Sequence, residues 1–337
     1  MTTGLKKEGA LDALLSGYRL TQLMHVVAKL GVPDQLARRP QTVEELALAV
    51  GANADALHRV VRALDSVGIF DQAADGKVSL TEEGQRLRSD VADSMHVAAI
   101  TYGEGWWWQA WGGLYDAVRT GGTAFDKVHG IDLFAYLARE PQAASLFDGI
   151  MHGMTTRVAA AVARLCDFSA SRRLLDIGGG QGALAAAILR ENPQMSAVLF
   201  DRPTVIERAD KRLQELGIAD RCELVGGDFF VSVPGGADTV TLKDIIHDWD
   251  DERSRAILSN IRRAMDKTAR LLVIERLIPP GNAPSYGKLV DVTMLVLTGG
   301  RERTEDEYRA LLASSGFTTR RVVPVSGETS VIEAEPS

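Results

Sequence analysis

The strongest constraint on the fold of this chain is the segment 174–182, which reads LLDIGGGQG. A short apolar strand carries an acid, four glycines fill five positions, and a helix-forming run follows from Ala183. Glycines at this spacing let the backbone turn sharply, and a ligand can approach where any side chain would block it. Asp176 places a carboxylate at the same point. We therefore expect a nucleoside-like ligand at a strand–loop–helix turn.

From about Arg173 onwards, apolar strand-like runs alternate with helical segments. The pattern predicts strands at 173–178, 196–201, 222–227, 238–243 and 269–275, and helices that begin near 181, 203, 250 and 304. The ending, 317–334, is typical of an antiparallel pair. This alternation predicts a doubly wound α/β domain whose ligands bind at the carboxyl ends of mostly parallel strands.

The first ninety residues read instead as short amphipathic helices with one small hairpin. Thr42 and Glu45 form a capping-box pattern, a helix is predicted over 54–67, and a hairpin over 69–80. Together they form a winged helix-turn-helix pattern, which first suggests DNA binding. Residues 1–90, however, carry 11 Lys and Arg against 12 Asp and Glu, a balance of -1. A DNA reader needs a basic face, so we favour a packing or dimerisation module.

The whole chain has a formal net charge of -7, which argues against nucleic acid or an anionic membrane as a general partner. No apolar run reaches the ~18 residues of a membrane span, and the N-terminus lacks the pattern of a secretory signal. Cys166 and Cys222 have no metal-site spacing and are interpreted as packing residues. We expect a reduced, cytoplasmic protein.

Residues 100–165 are helical and apolar, and four of the five tryptophans fall within 106–111. Two interpretations stay open for this cluster. It is either a helical core that joins the two halves of the chain or, in part, a wall for a flat organic ligand.

The glycine loop also satisfies G-x-G-x-x-G/A, and Asp201 follows 23 residues after Gly178, so a dinucleotide oxidoreductase is an alternative. An acid before the glycines suits an ammonium group better than a pyrophosphate. The motif Gly226-Gly227-Asp228-Phe229-Phe230 adds an acid and an aromatic that suit an adenine. The fourth strand then runs into a string with a lone histidine, His247.

Six motifs in order give a more specific resemblance: DIGGGQG, LFDRP, GGDFF, LKDIIHDWDDE, LLVIERLI and GGRERTEDEYRALLASSGF. The chain resembles the S-adenosylmethionine-dependent small-molecule O-methyltransferases, namely the caffeate-type plant enzymes and their bacterial antibiotic- and polyketide-tailoring relatives. The similarity extends from residue 11 to 335. It implies a Rossmann-like methyltransferase domain preceded by a mainly helical winged-helix dimerisation domain.

The resemblance implies three segments: a dimerisation domain at 1–98, a helical connector at 99–165 that contributes to the acceptor pocket, and the methyltransferase domain at 166–337. It also implies a homodimer through the N-terminal domain. S-adenosylmethionine is the expected cofactor, S-adenosylhomocysteine its product, and no metal is expected. The expected cofactor-binding residues are Asp176, Gly178, Gly180, Asp201, Arg202, Gly227, Asp228, Phe229 and Lys243.

For catalysis the resemblance implies His247 as general base, with Glu275 and Glu302 as the acids that flank and orient it. A phenol has a pKa near 10, so few molecules are ionised at pH 7, and a neutral imidazole can take the proton as the oxygen attacks. Glu275, if bonded to the other ring nitrogen, would fix the tautomer. Glu302 could equally be a surface residue.

The acceptor is expected to be an aromatic secondary metabolite that is methylated on a hydroxyl. The residues assigned to its pocket are Trp108, Phe147, Met151, Met154, Asp248, Asp291 and Met294. Two positions depart from the family pattern. Arg202 stands where leucine is usual, and Met154 replaces a polar or imidazole residue, so the substrate rules of the plant enzymes should not transfer.

Several alternatives remain at the level of sequence. Asp250, Asp251 and Glu252 read as an N-cap and acidic first turn of a helix, although Asp248, Asp250 and Asp251 could also form a divalent-metal site. A relative that keeps S-adenosylmethionine but hydroxylates or decarboxylates a polyketide is a rival within the fold. A winged-helix regulator that senses a small molecule is a rival outside it.

Overall fold

The computed structural model describes residues 9–337, and these divide into two compact units. The first comprises the described residues up to 109 together with 142–153, and the second comprises 110–141 and 154–337. No helix among the described residues has both the length and the apolarity that crossing a lipid bilayer requires.

The first unit is mainly helical, with one small hairpin. Its elements are α1 (Ala10–Lys29), α2 (Val32–Leu36), α3 (Val43–Val50), α4 (Ala54–Asp65), β1 (Phe70–Gln72), β2 (Val78–Leu80), α5 (Glu82–Gln85) and α6 (His96–Gly103), followed at the boundary by α7 (Gly105–Gly112). The predicted hairpin is confirmed, because β1 pairs antiparallel with β2.

Local signals set the bounds of these short helices. The capping box is confirmed: Glu45 N donates to Thr42 Oγ1 at 3.3 Å, and Thr42 N donates to Glu45 Oε2 at 2.9 Å. Helix α4 ends at Asp65, two residues before the predicted end. Gly68, at φ +79°, reverses the chain there, which leads it into the hairpin.

The second unit begins with short helices and is built around a sheet. The helices before the sheet are α8 (Leu114–Thr120), α9 (Ala124–His129), α10 (Leu133–Arg139) and α11 (Pro141–Leu165), the last of which contributes to both units. The remaining elements are β3 (Arg173–Ile177), α12 (Ala183–Glu191), β4 (Ser196–Asp201), α13 (Pro203–Leu216), β5 (Cys222–Gly226), β6 (Thr239–Lys243), α14 (Asp251–Ala264), β7 (Arg270–Arg276), α15 (Gly287–Leu297), α16 (Glu305–Ser314), β8 (Phe317–Ser326) and β9 (Thr329–Pro336).

The described residues of this unit form a seven-stranded sheet in the order β5-β4-β3-β6-β7-β9-β8. The first five strands are parallel, and β9 and β8 are antiparallel, so the predicted strands and the antiparallel ending are confirmed. Successive strand residues face opposite cores: Leu174 packs with the cluster on one face, and Leu175 with the cluster on the other. Strand order reverses between β3 and β6, which is where such folds bind ligands.

Two features of this unit differ from the sequence prediction. The helix expected near 181 begins at Ala183, because Gly180 and Gly182 lie at positive φ and cannot continue a helix. Helix α15 was not predicted at all. Its run LVDVTMLVL is rich in β-branched residues, and the helix packs against α8 and α9.

Candidate active site

The glycine loop at the end of β3 leaves room for a ligand beside its backbone. Gly178 and Gly180 have φ of +64° and +57°, a region that side chains disfavour. A Cβ on Gly178 would also lie 2.2 Å from Cδ1 of Ile245, whereas one on Gly180 would meet nothing within 4 Å. Gly178 is therefore required for packing, and the loop presents bare backbone at Gly180.

Asp201 ends β4 directly opposite this loop. Its Oδ2 accepts a hydrogen bond from Gly180 N at 2.9 Å, and its Oδ1 accepts one from Arg202 N at 2.7 Å. The structure thus brings Asp201 and Gly180 together, as a shared site for one ligand requires. The Arg202 side chain turns away to donate to the Phe134 carbonyl at 2.9 Å and lies 5.0 Å above the Phe134 ring.

Asp176 lies deeper than a ligand-contacting residue was expected to lie, with 1% of its surface exposed. Its Oδ1 accepts a hydrogen bond from Thr241 Oγ1 at 2.7 Å, and burial raises the pKa of the carboxyl to about 6. Its Oδ2 is buried without a hydrogen-bond partner in the described structure, and a Cβ on Gly179 would lie 2.8 Å from that oxygen. Asp176 therefore packs against the loop at Gly179, and its Oδ2 is an acceptor without a hydrogen-bond partner among the described residues.

The GGDFF motif follows β5 and lies beside the same edge of the sheet. Gly227 N donates to the Asp201 carbonyl at 2.9 Å, and a Cβ on Gly227 would lie 2.5 Å from the Phe200 ring. Asp228 Oδ1 accepts from Phe230 N at 2.8 Å. The motif is therefore held close to Asp201. Its aromatic rings belong to a cluster whose members are Phe134, Phe229, Phe230 and Trp249.

Lys243 ends β6 and forms an ion pair with Asp244, a residue for which the sequence had indicated no role. Both side chains are nearly buried. Burial opposes ionisation of Asp244, but the positive charge of Lys243, aided by that of His247, holds its pKa below the usual value. Asp244 also adopts a φ of +51°, which turns the chain so that Ile245 and Ile246 both donate their amides to Glu275 Oε1, at 3.1 and 2.8 Å.

His247 lies in the 3-10 turn Ile246–Asp248, and 5% of its surface is exposed. Its Nδ1 is 2.9 Å from Glu302 Oε1 and 3.6 Å from Glu275 Oε2. The structure corrects the expectation that Glu275 holds the second ring nitrogen. Glu302, which sequence alone could not distinguish from a surface residue, is buried and makes the hydrogen bond, and Glu275 chiefly orients the turn.

The charges around His247 decide its protonation. Burial alone lowers the pKa of the imidazole, but the carboxylates of Glu275 and Glu302, followed by Asp248, raise it well above its usual value. Burial in turn raises the pKa of Glu275 to about 7 and that of Asp248 to about 7. His247, Glu275 and Asp248 together therefore hold more protons near neutral pH than the same groups do in water.

The second ring nitrogen of His247 faces the other acid. Its Nε2 lies 3.8 Å from Asp248 Oδ1, and no hydrogen bond reaches Nε2 from any residue that the structure describes. Because Nδ1 is held by Glu302, Nε2 is the nitrogen left for a proton acceptor's role. A hydroxyl that reached this nitrogen would also meet Asp248.

The residues assigned to the acceptor pocket fall in both units. Trp108, Phe147 and Met151 belong to the first, and Met154 to the second. Helix α15 carries two more: Asp291 Oδ1 accepts from Glu302 N at 2.8 Å, and Met294 is buried. The structure therefore brings Asp291 to the backbone amide of Glu302, the residue whose carboxylate holds the imidazole.

Of the three acids proposed as an alternative metal site, Asp250 and Asp251 are engaged elsewhere, and Asp248 lies beside His247. Asp250 caps α14 through Arg253 N at 2.8 Å, which confirms the capping interpretation, and Asp251 pairs with Arg303. Among the described residues, the donors that do converge are those of Asp244, His247 and Glu275, within 4.8 Å of one another. In that set Lys243 pairs with Asp244, and two backbone amides donate to Oε1 of Glu275. Oε2 of Glu275 has no hydrogen-bond partner among the described residues.

The start of the GGRERTEDEYRALLASSGF motif packs against the histidine turn, although the sequence had indicated no role for Gly300 or Arg301. Arg301 N donates to the His247 carbonyl at 2.8 Å. A Cβ on Gly300 would lie 2.0 Å from that same oxygen, 2.3 Å from the carbonyl carbon of Asp248 and 2.6 Å from Trp249 N. The glycine pair in GGRER was the available signal, since a glycine beside a catalytic motif often marks a close approach of two backbones.

The pKa shifts predict how Glu302→Gln changes stability with pH. The pKa of His247 is raised in the folded state, so its contribution is complete below about pH 6.5 and is lost as pH rises through the folded pKa. The glutamine removes a charge that raises this pKa. We expect the variant to be less stable than the parent at pH 6 and the gap in unfolding free energy to narrow towards pH 9. Urea titrations at several pH values measure it, and a gap independent of pH would contradict the charge coupling.

Comparisons with known proteins agree with this geometry. A family model described as an O-methyltransferase domain matches residues 111–318, and one described as an O-methyltransferase dimerisation domain matches residues 13–90. The chain is 45% identical to phenazine O-methyltransferase PhzM of Lysobacter antibioticus over 96% of this chain and 94% of that protein. It is 39% identical to O-demethylpuromycin-O-methyltransferase of Streptomyces alboniger over 97% and 90%.

One solved structure that is similar to this chain contains two ligands. The O-methyltransferase NcsB1 from neocarzinostatin biosynthesis, in complex with S-adenosylmethionine and 2-hydroxy-5-methyl naphthoic acid, is 30% identical to this chain. The two superpose with a TM-score of 0.83 over 94% of this chain and 96% of that one.

Proposed function

The function that we propose starts from the family to which this chain belongs, the O-methyltransferases. A dimerisation domain precedes a Rossmann-like methyltransferase domain in this chain. The proposed reaction transfers a methyl group from S-adenosylmethionine to a hydroxyl of an aromatic natural product. The observation that carries the proposal is the buried His247, which is held at Nδ1 by Glu302 and whose Nε2 receives no hydrogen bond from the part of the chain that the structure describes.

The residues at the sheet edge fit the proposed methyl donor. The glycine loop offers a cradle that a side chain would fill, and Asp176 keeps an unsatisfied buried oxygen beside it. Asp201, fixed by Gly180 N, suits a pair of ribose hydroxyls, and Asp228 with Phe229 suits an adenine. When bound, the donor supplies an electrophilic methyl group on a sulfonium. Structural relatives that carry S-adenosylmethionine support the assignment.

The chain's own contribution to the reaction is proton transfer and alignment. Glu302 fixes the imidazole so that Nε2 can accept the hydroxyl proton, and it stabilises the imidazolium that forms. A cationic ligand nearby lowers the pKa of an imidazole by like-charge repulsion. We therefore expect the raised pKa of His247 to fall when donor is bound, which supplies the neutral base at working pH.

The acceptor is proposed to be a flat aromatic compound. Relatives are named for phenazine and aminohydroxybenzoate O-methylation, and the neighbour NcsB1 binds a naphthoic acid. In this chain Met294 and Asp291 come from α15, beside the imidazole's own partner. A panel of aromatic acceptors identifies the ring system.

The proposed assembly is a homodimer through the first unit. Leu11, Leu14, Leu15 and Tyr18 of α1 are exposed apolar side chains, with Leu14 72% exposed. A row of this kind on one helix is typical of an interface. The matching dimerisation family model supports the same assembly.

The experiment follows both products of the reaction. Purified protein is incubated with S-adenosylmethionine and a panel of phenazines, naphthols and anthraquinones that carry a free hydroxyl, and S-adenosylhomocysteine and methylated product are measured together. Equimolar formation of both supports the proposal. A hydroxylated or decarboxylated product without S-adenosylhomocysteine would favour the rival chemistry. Failure to bind S-adenosylmethionine would refute the proposal.

Asp201 provides a separate test of the cofactor assignment. In Asp201→Ala the hydroxyl-binding carboxylate and its two backbone hydrogen bonds are lost, so we expect the Kd for S-adenosylhomocysteine to rise on the order of tenfold to a hundredfold. Calorimetric titration measures it. Asp75→Ala, at an exposed turn of the first unit, is the control. An unchanged Kd in the Asp201 variant would show that Asp201 does not bind the cofactor.

A further inference from the structure

We propose that Arg303 is the positioning residue of the active site: it fixes the turn that carries His247 to the segment that carries Glu302. The inference rests on the proposed role of His247 and adds a residue to which neither the sequence motifs nor the predicted site had given a task. Arg303 touches no reacting atom in this scheme, so it acts through the imidazole.

The guanidinium of Arg303 is buried, with 1% of the residue exposed. A buried cation is stable only when its donors are satisfied and its charge is paired. Asp251 Oδ1 accepts from Nη2 at 2.8 Å and from Nε at 3.1 Å. The ring of Tyr308 lies 5.8 Å from the guanidinium carbon. The charge is therefore neutralised by the first residue of α14.

The remaining donors reach backbone carbonyls on both sides of His247. Nη1 donates to the Ile246 carbonyl at 3.2 Å, one residue before the histidine, and Nη2 donates to the Trp249 carbonyl at 2.9 Å, two residues after it. A planar fork can hold two carbonyls at a fixed separation, which an ammonium on a flexible stem cannot do. Arg303 thus sets the width of the turn.

The segment that carries Arg303 also carries the partner of the imidazole. Glu302 Oε1 lies 2.9 Å from Nδ1 of His247, and Ile278 N donates to the Arg303 carbonyl at 3.1 Å. The second bond ties the segment to the chain that follows β7. Neighbouring side chains therefore hold the ring and the backbone of one turn, and a shift of either changes the distance between Nδ1 and the carboxylate.

These contacts distinguish Arg303 from Arg270, a largely buried arginine in the same unit. Arg270, at the start of β7, donates to Thr239 Oγ1 at 3.2 Å and pairs with Glu333 at 3.4 Å. It also lies 4.9 Å from the Phe168 ring. None of these partners belongs to the histidine turn. Arg270→Met is therefore the control for loss of a largely buried cation.

The test compares Arg303→Met, Arg303→Lys and Arg270→Met. We expect Arg303→Met to lower kcat about tenfold to a hundredfold, because the imidazole of His247 is misplaced. The KM for both substrates should stay within about threefold of the parent value, because substrate binding is not affected. Arg303→Lys should recover only part of kcat. Arg270→Met should stay within about threefold of the parent. Equal losses of kcat in Arg303→Met and Arg270→Met would overturn the proposal.

A second readout needs no turnover. Proton NMR of His247, assigned by its absence in His247→Asn, follows the pKa of the imidazole without substrates. We expect Arg303→Met to lower this pKa towards 6.5, because the contact with Glu302 loosens. An unchanged pKa would overturn the proposal even if His247 proved to be no base. If Arg303→Met does not fold, Arg303→Lys is judged by the same two criteria.

Discussion

Replacing His247 with alanine should lower turnover on the order of a hundredfold or more while the affinity for S-adenosylmethionine stays near that of the parent. The ring nitrogen that would accept the hydroxyl proton is lost, and general-base catalysis of this kind contributes about a hundredfold to ten-thousandfold. The cofactor contacts proposed here come from other residues, namely the glycine loop, Asp201 and the GGDFF motif. Steady-state kinetics and calorimetric titration measure the two quantities separately.

The alanine variant also leaves Glu275 and Glu302 facing a cavity, so stability must be checked beside activity. His247→Asn retains a polar group of closer size and should lose turnover to a similar extent with less loss of stability. His58→Ala, at an exposed position of α4, is the control for removal of an imidazole. Turnover of both His247 variants within a few-fold of the parent would show that His247 is not the base.

The second large effect is expected from Gly300→Ala. The added Cβ would lie within 2.6 Å of three backbone atoms of the histidine turn, and none of these can rotate away as a side chain could. Overpacking of this kind costs about 1–3 kcal/mol, and contact with backbone on one fixed segment places the cost at the upper end. We expect turnover to fall more than tenfold, because Glu302 and His247 separate with the two segments.

Chemical denaturation and kinetics on the same preparation test this expectation. Gly112→Ala is the control, since its added Cβ would meet nothing within 4 Å and its φ is not left-handed. The control should keep both stability and turnover close to those of the parent. A Gly300→Ala variant with parental stability and turnover would mean that the two segments do not pack as tightly as described.

Much of the fold was predictable because its signals are local. Apolar runs with turn residues between them predict β3 to β7, and the Thr42–Glu45 pair predicts the start of α3. Helix α15 was not predicted, since β-branched residues favour a strand locally and packing against α8 and α9 decides the outcome. Tertiary contacts overrule propensity there.

The site was predictable only in part, for a similar reason. The motifs predict which residues bear charge, but the assignment of Glu302 over Glu275 to Nδ1 depends on where a distant segment crosses the histidine turn. Asp244 and Arg303 act through backbone geometry that neither residue type nor spacing indicates, whereas for Gly300 the glycine pair was a sequence signal. Their roles depend on contacts between chain segments that lie 30 to 57 residues apart in the sequence.

The hydrogen bond from Glu302 N to Asp291 has a consequence for the effects of substitutions in helix α15. Helix α15 carries the buried Met294 as well as Asp291, so the same element provides two residues of the proposed acceptor pocket and supports the partner of the proposed base. Under the proposed function, we expect a substitution of Met294 to alter which compound is accepted and to leave the contact between Asp291 and Glu302 N intact. A change at Asp291 would affect both. The helix thus links the proposed acceptor pocket to the partner of the proposed base through one carboxylate.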